Sequence, residues 1–361
     1  DIVQVTLLVF GGLVIAGITL SKIGGDGGII AGFSTLTQRA PDHFKMILSP
    51  DNPYYKDLPG ISVLIGGMWV ANLSYWGFNQ YIIQRALAAK SLPEAQKGVV
   101  FAAYLKLLTP VIIVLPGIAA VLLAPDLAKP DQAYPTMMRL LPSGLLGLVF
   151  AALIAAIIAS TASKINSIAT IFTLDLYAKF RGERSRAEDA TGTAPEEHHL
   201  VLVGRITACV AIVIALVTAR PLLGNSDQAF QFIQEFSGFF TPGITAIFLL
   251  GLFWKRASEA GAIAAAVASV ALSFVFWFDW AAHVPALAGL SALNTIPFMN
   301  RMLIVFFAVL VLAMIVSLIR PGTANRNRID TANVDYATRS SFNIAAVGVI
   351  LILIALYATW W

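Results

Sequence analysis

The sequence has 361 residues, of which 58% are hydrophobic and only 12% are charged, with a net charge of +4. This composition, with a mean hydropathy of +0.79, excludes a soluble domain with a charged surface and indicates a membrane protein. A single cysteine excludes a disulfide framework, the four histidines lack zinc-ligand spacing, and basic residues gathered in loops suit membrane topology better than nucleic-acid binding.

Nine apolar segments follow along the chain, close to or above the roughly 20 residues that a helix needs to cross a bilayer. They lack the strand alternation of an outer-membrane barrel, so the predicted fold class is all-α and polytopic, with about nine transmembrane helices. Gly66-Gly67, Pro110, Pro116, and Gly238 with Pro242 predict interruptions. The segments lie near 2–23, 59–86, 98–123, 144–178, 200–219, 228–253, 260–280, 302–319 and 342–361.

Basic residues concentrate in the loops after the second, fourth, sixth and eighth segments. The positive-inside rule therefore predicts a cytoplasmic start of the first segment and an external C-terminus. Residues 181–199 are predicted to form a mobile cytoplasmic linker. The sequence opens at Asp1, without Met and directly before a span, so we expect a longer protein whose first helices are missing here.

The second segment carries polar and aromatic residues at positions i, i+3, i+4, i+7 and i+8. On an α-helix this spacing predicts one shared face. Amides bind hydroxyl groups and an aromatic ring covers the apolar face of a sugar, so the face suits a polyhydroxylated ligand. The alternative is that these residues contact neighbouring helices and the membrane interface. They are Asn72, Tyr75, Trp76, Asn79 and Gln80.

The third and sixth segments carry polar side chains that are costly in hydrocarbon. The Lys106 ammonium, inside the third segment, is predicted either to bind a ligand or to extend to the inner membrane surface. Gln231, Gln234 and Glu235 share a face that must contact protein or water. A structural hydrogen-bonding role is one interpretation of Gln231.

The fourth segment contains hydroxyl-bearing side chains among small apolar residues. Small residues permit close helix packing. Hydroxyls and backbone carbonyls are also the hard oxygen ligands of a small cation. The pattern therefore allows an ion site as well as a packing role. The polar residues are Ser160, Thr161, Ser163, Asn166, Ser167 and Thr170.

At these residues the sequence closely resembles bacterial sodium–galactose symporters of the sodium/solute symporter family, over essentially the whole chain. The resemblance is carried by NLSYWGFNQYIIQRALAAKSLPEAQKGVVFAAYLKLL (72–108), FAALIAAIIASTASKINSIATIFTLDLY (150–177), AFQFIQEFSG (229–238) and SFNIAAVGVILILIALY (341–357). It implies the LeuT-like inverted-repeat transporter fold. Residues 1–24 would be the last helix of the first repeat, 25–58 an external loop with short helices, 59–254 the second repeat of five helices, and 255–361 three accessory helices.

The resemblance also implies roles for individual residues. Asn72, Lys106 and Gln234 match sugar-binding residues, whereas Tyr75 matches the aromatic gate over the sugar and Trp76 its neighbour. The Ala156 carbonyl and the Ser160 hydroxyl match sodium ligands, and Asp1 matches an aspartate near the sodium exit path.

The sequence departs from the family pattern at three positions. Ala159 replaces a second serine ligand, and Lys164 replaces an apolar residue one turn from Ser160. The lost hydroxyl and the added like charge predict a weaker sodium site. Ser74 replaces an aromatic residue beside the gate, which is expected to alter substrate fit.

The predicted function is secondary active transport by alternating access, with sodium and a hexose such as galactose or glucose entering together. The predicted partners are the sugar, sodium, the lipid bilayer and the missing N-terminal helices, with no organic cofactor and no nucleic acid. The predicted location is the bacterial inner membrane, as a multi-pass protein. Alternatives are proton coupling through Lys164, another solute such as sialic acid or inositol, and a transporter-like sensory module. A membrane enzyme is disfavoured because no nucleophile–base or metal-binding motif is present in the sequence.

Overall fold

The computed structural model describes residues 2–52, 54–55, 57–181, 194–223, 228–278, 280–322 and 337–361. These residues form helices and connecting loops, and none of them forms a strand. The α-helices are α1 (Ile2–Gly24), α2 (Gly28–Arg39), α3 (Ile61–Ile65), α4 (Gly67–Leu73), α5 (Gln80–Leu87), α6 (Leu92–Leu107), α7 (Leu115–Leu123), α8 (Ala133–Met138), α9 (Ser143–Thr170), α10 (Ala178–Phe180), α11 (Ala194–Leu223), α12 (Ala229–Ser237), α13 (Thr241–Phe253), α14 (Glu259–Trp277), α15 (Trp280–His283), α16 (Phe298–Ile319) and α17 (Ser340–Thr359).

Within the described ranges, seven helical stretches are long and apolar enough to cross a membrane, and α12 with α13 forms an eighth if this bent pair is one span. The predicted all-helical, polytopic membrane fold is therefore confirmed. The predicted second segment, 59–86, is divided among α3, α4 and α5. None of these three short helices is long enough to cross a bilayer alone. The number of nine transmembrane helices therefore stays a prediction. The seven stretches are Ile2–Arg39, Leu92–Leu123, Ser143–Phe180, His198–Leu222, Glu259–Trp277, Phe298–Ile319 and Ser340–Thr359.

Helix interruptions occur at three of the four predicted positions; the fourth prediction is wrong, because Pro116 lies in the first turn of α7, where proline is tolerated. Gly66, with φ −87° and ψ −128°, separates α3 from α4. Pro110 begins a π-helical segment, Pro110–Val114, between α6 and α7. A bend of 44° separates α12 from α13, and Gly238 lies in it. Glycine and proline weaken the α-helical hydrogen-bond ladder at such points.

By packing, the chain divides into two compact units, of which the first consists of Asp1–Pro41 and Lys106–Ala229. In this unit α1 packs against α2, α7 and α9. A Cβ atom at Gly32 would overlap the Leu20 carbonyl, so only glycine permits this approach of α2 to α1. Such contacts are typical of helices that pack in membranes. The core residues are Ile15, Ala120, Met137, Met138, Leu141 and Val149.

The second unit consists of Asp42–Leu105 and Phe230–Trp361. Here α16 packs against α4, α13 and α14. The core residues are Val70, Ala246, Ala265, Met302, Val305, Phe306, Val309 and Ala313. The predicted repeat 59–254 contributes residues to both units. The units are defined by packing, whereas a repeat is defined by chain topology, so the two divisions need not coincide. The repeat boundaries therefore stay a prediction.

Two predictions concern residues that the structure does not describe. Asp1 lies outside the described residues, as does the 182–193 part of the predicted linker 181–199. Elsewhere the apolar surface agrees with a membrane environment: α17 is predominantly apolar after its first turn, yet none of its residues is buried within the protein. Lipid, rather than protein or water, is the expected neighbour of such a face.

Candidate functional site

The polar part of the predicted second segment changes helix type halfway. After α4 ends, Ser74–Phe78 form a π-helix, and Asn79 is extended, with φ −89° and ψ 117°. A π-helix bonds each residue to one five positions away, so residues beyond Ser74 leave the α-helical register. The prediction of one α-helical face is therefore wrong. Its five residues are Asn72, Tyr75, Trp76, Asn79 and Gln80.

Three aromatic side chains cluster at this change of helix type. The Tyr75 ring meets Trp76 edge to face, with centroids 5.1 Å apart, and Tyr81 at 6.2 Å. The Tyr81 hydroxyl donates a hydrogen bond of 2.7 Å to the Tyr75 hydroxyl. Tyr75 is 45% exposed and Trp76 is 44% exposed. Tyr75 is thus held by two neighbours while keeping an accessible ring face.

Asn72 lies one residue before the end of α4, and its side chain is exposed. Its amide nitrogen donates to the Met68 carbonyl at 2.8 Å. An asparagine amide has two hydrogens and an oxygen that accepts, so this bond orients the group and leaves hydrogen-bonding capacity for a ligand hydroxyl.

Gln234 lies beside the second interruption of this unit. It occupies the last turn of α12, and its side chain is partly buried. Its backbone carbonyl accepts from the Gly238 N–H at 3.0 Å and from the Ser237 hydroxyl at 2.9 Å. These bonds close the C-terminal end of α12 and fix the position of Gln234 relative to the bend.

Ser269 of α14 stabilises the bend itself. It accepts a 3.0 Å hydrogen bond from the Gly243 N–H and donates a 2.8 Å bond to the Phe239 carbonyl. Ser269 is 1% exposed. Backbone groups released by a helix break must find partners inside the protein when water is absent. The bend is therefore supported by the neighbouring helix.

The two interrupted helices of the second unit contact each other. Phe78, at the end of the π-helix, stacks on Phe248 of α13 with centroids 4.6 Å apart. The Thr245 hydroxyl of α13 also lies 3.4 Å from the Val70 carbonyl of α4. The helix of Asn72 and Tyr75 thus packs against the span that carries Gln234.

Lys106 belongs to the first unit and occupies the end of α6, where its side chain is exposed. Pro110 has no N–H and cannot donate the bond that an α-helix would direct to residue 106. The change to a π-helix at Pro110 follows from this missing donor. Lys106 thus lies beside a helix irregularity, as Asn72 and Gln234 do.

The two predicted sodium ligands lie one turn apart on α9, also in the first unit. Ala156 is partly buried and the Ser160 side chain is exposed. A serine or threonine hydroxyl on a helix approaches the carbonyl four residues earlier. The Ser163 hydroxyl, 3.0 Å from the Ala159 carbonyl, and the Thr170 hydroxyl, 2.8 Å from the Asn166 carbonyl, have this geometry on the same helix. A carbonyl and a hydroxyl with this spacing offer two oxygens to one cation.

The two departures on α9 have different surroundings. Ala159 is partly buried and supplies only its carbonyl, which Ser163 already uses. The Lys164 side chain is exposed and lies one turn beyond Ser160. A cation at the Ser160 hydroxyl would therefore be close to a positive charge on the same helix.

Sequence reasoning missed an ion pair in the second unit, between Glu235 of α12 and Arg301 of α16. The Arg301 Nη2 and Glu235 Oε1 atoms lie 3.4 Å apart. The sequence places Glu235 on a polar face and predicts an apolar segment only from residue 302, which leaves Arg301 outside it. The helix begins earlier, at Phe298, after Pro297. Proline at a helix start was the available signal.

Comparisons with known proteins place this sequence among sodium-coupled symporters. The sequence model of the sodium:solute symporter family matches residues 1–268. The chain is 45% identical over 379 residues to the sodium/glucose cotransporter of Vibrio parahaemolyticus, an alignment that covers 100% of this chain and 65% of that protein. It is 32% identical over 302 residues to the human sodium/myo-inositol cotransporter 2, covering 76% of this chain and 43% of that protein. An uncharacterized symporter of Escherichia coli is 28% identical over 357 residues, with 96% of this chain and 57% of that protein covered. The chain therefore spans less than two thirds of the length of each of these relatives.

Proposed function

The chain belongs to the sodium:solute symporter family, and on this premise we propose that it takes part in sodium-coupled uptake of a hexose such as galactose or glucose. The observation that carries the proposal is the pair of contacting, interrupted helices in the second unit, each with an amide side chain beside its break. Transporters built on inverted repeats place their substrates at discontinuous helices near the membrane midplane. The sodium/glucose cotransporter named above supports the choice of sugar.

In this proposal the sugar is recognised by hydrogen bonds and by one aromatic face. Asn72 and Gln234 supply amides that both donate and accept, and Lys106 supplies an ammonium that donates. Tyr75 covers the apolar C–H face of the sugar, with Trp76 behind it. No covalent step is required, so the protein is proposed to be a transporter and not an enzyme.

The proposed sodium ligands are the Ala156 carbonyl and the Ser160 hydroxyl, because a small cation takes hard oxygen ligands. Sodium would act as the coupling ion, without an organic cofactor. The membrane potential contributes about 2.3 kcal/mol per charge per 100 mV to such inward movement. Asp1 and Lys164 are proposed to lie along the ion path.

The proposed mechanism is alternating access in the bacterial inner membrane. Residues 1–24 would end the first repeat, 59–254 would form the second, and 255–361 would supply accessory helices. Movement of one repeat against the other then opens the site to each side in turn.

A second candidate substrate is myo-inositol, since several curated relatives are sodium/myo-inositol cotransporters at 32–33% identity. Inositol presents a ring of hydroxyl groups to the same amides and lacks the ring oxygen of a hexose.

The proposal is tested by uptake into proteoliposomes that contain the full-length protein. An inward sodium gradient should drive accumulation of labelled galactose above its external concentration, and a sodium ionophore should abolish it. Unlabelled glucose should compete better than myo-inositol. Stronger competition by inositol would support the second candidate, and uptake that ignores the sodium gradient would contradict the proposal.

The Tyr75–Tyr81 hydrogen bond gives a further prediction. Tyr81→Phe removes the donor that orients the Tyr75 hydroxyl, and the half-saturating sugar concentration should rise by about 3- to 10-fold, the usual effect of one hydrogen bond. The measurement is sugar uptake at saturating sodium. Tyr54→Phe is the matched control, because Tyr54 lies in the same unit and is 60% exposed. Equal values for Tyr81→Phe and the control would show that this hydrogen bond does not orient the gate.

A further inference from the structure

Arg301 joins three parts of the second unit. Its Nε donates at 2.7 Å to the Ile296 carbonyl, in the loop before α16. Its Nη1 donates at 3.2 Å to the Phe276 carbonyl, at the end of α14. Its Nη2 lies 3.4 Å from the Glu235 carboxylate of α12. One guanidinium thus holds α12 to two helices that follow it in the chain.

The fork geometry of arginine explains why these contacts occur together. A guanidinium presents five N–H donors in one rigid plane, so three partners fix its orientation. The Arg301 side chain is 13% exposed, and that of Glu235 is 33% exposed. Because Arg301 is largely and Glu235 partly withdrawn from water, loss of either partner leaves a charge that water solvates incompletely.

The same helices also contact the bend beside Glu235. A Cβ atom at Gly238 would lie 3.1 Å from the Met302 side chain, so α16 is already close to the break. A cavity of about 20 Å³ remains there, lined by Glu235, Gly238, Phe239, Trp277, Arg301 and Met302 among others. This volume holds about one water molecule. α12 is therefore held to α16 by the ion pair and is also close to it at the bend.

We propose that Arg301 is a positioning residue that, through Glu235, fixes the orientation of α12 and so of Gln234, the neighbouring residue. The inference rests on the proposed sugar-binding role of Gln234. It gives a function to α14 and α16. Their residues in this contact, Phe276 and Arg301, lie beyond residue 268, where the match to the family model ends. These helices would set sugar affinity without touching the sugar.

The test is a double-mutant cycle for sugar uptake in the full-length protein. Arg301→Met and Glu235→Gln should each raise the half-saturating sugar concentration by about 5- to 50-fold, since each leaves a poorly solvated partner. The maximal rate per folded protein should change much less. Because both variants break one interaction, the double variant should be no worse than the worse single variant. Arg301→Lys keeps the charge and should recover part of the affinity.

The matched control is the ion pair of Glu94 and Lys97 in the same unit. The Lys97 Nζ and Glu94 Oε1 atoms lie 2.8 Å apart, and both side chains are more than half exposed. Glu94→Gln and Lys97→Met should leave sugar affinity unchanged. If Arg301→Met does not reach the membrane, the near-isosteric Glu235→Gln variant carries the test by itself.

The two proposals fail in different ways. If the wild-type protein does not transport sugar, the proposed function is wrong. If it does, but the Arg301 and Glu235 variants lower only the yield or the melting temperature, the pair is a structural contact and the positioning role is wrong. Multiplying effects in the double variant would equally overturn it, because independent sites do not share an interaction.

Discussion

Gln234→Ala is expected to lower the sugar affinity of the full-length protein by about 5- to 150-fold, which corresponds to the roughly 1–3 kcal/mol cost of leaving a buried hydrogen-bonding group unpaired. Lys106→Ala should fall in the same range, because its ammonium is proposed to donate to the same ligand. Both effects are measured by equilibrium binding of labelled galactose at saturating sodium.

Gln231→Ala is the matched control for Gln234→Ala. Gln231 lies one turn earlier on α12, and its side chain is partly buried like that of Gln234. A structural role for Gln231 predicts lower stability with unchanged sugar affinity. Wild-type affinity in Gln234→Ala and Lys106→Ala would instead assign Gln234 to packing and Lys106 to a side chain that extends to the membrane surface.

The helix breaks illustrate what sequence reasoning can find. Gly66-Gly67, Pro110, Pro116, and Gly238 with Pro242 were predicted to interrupt helices. Irregular backbone occurs at Gly66, Pro110 and Gly238, whereas Pro116 and Pro242 each lie in the first turn of an α-helix. Such breaks are predictable because they follow from missing donors and missing side chains, which are local properties of the residues.

The π-helices at Ser74–Phe78 and Ile171–Tyr177 were not predicted. Neither segment contains proline, and a π-turn is stabilised by its surroundings as much as by its own residues. Phe78 stacks on Phe248, 170 positions later in the chain, so the tertiary contact that accompanies the first π-helix is remote in sequence. The predicted α-helical face failed for this reason.

The candidate site was predictable only in part. Polar side chains in apolar segments marked Asn72, Lys106 and Gln234, because such groups need a reason to be there. The Ala156 carbonyl carries no side-chain signal, and only the family resemblance singled it out. The Glu235–Arg301 pair depends on the approach of α12 to α16, more than 60 positions apart, which spacing within one segment does not reveal.

Replacement of sodium by choline is expected to reduce sugar uptake to a small fraction of its value at every pH tested. The reason is that the Ala156 carbonyl and the Ser160 hydroxyl are proposed to require a small cation, and choline is too large for two oxygens one helical turn apart.

Because Ala159 contributes no hydroxyl, the sodium site is expected to be weak. Ala159→Ser should therefore lower the half-saturating sodium concentration by about 3- to 10-fold, because it adds a hydroxyl oxygen that coordinates the cation, with an energy comparable to the net energy of one hydrogen bond.

Lys164 separates sodium coupling from proton coupling. Its exposed ammonium lies one turn from Ser160 and opposes a cation there by like charge. With sodium as the coupling ion, Lys164→Met should remove this repulsion, tighten sodium dependence and leave uptake in choline low. With a proton carried by Lys164, uptake in choline would persist, rise on acidification and disappear in Lys164→Met. The measurement is initial sugar uptake by the full-length protein and by its Ala159→Ser and Lys164→Met variants, in sodium and in choline, at several pH values. That second pattern would overturn the sodium assignment, because a methionine side chain carries no proton and leaves the oxygens of Ala156 and Ser160 in place.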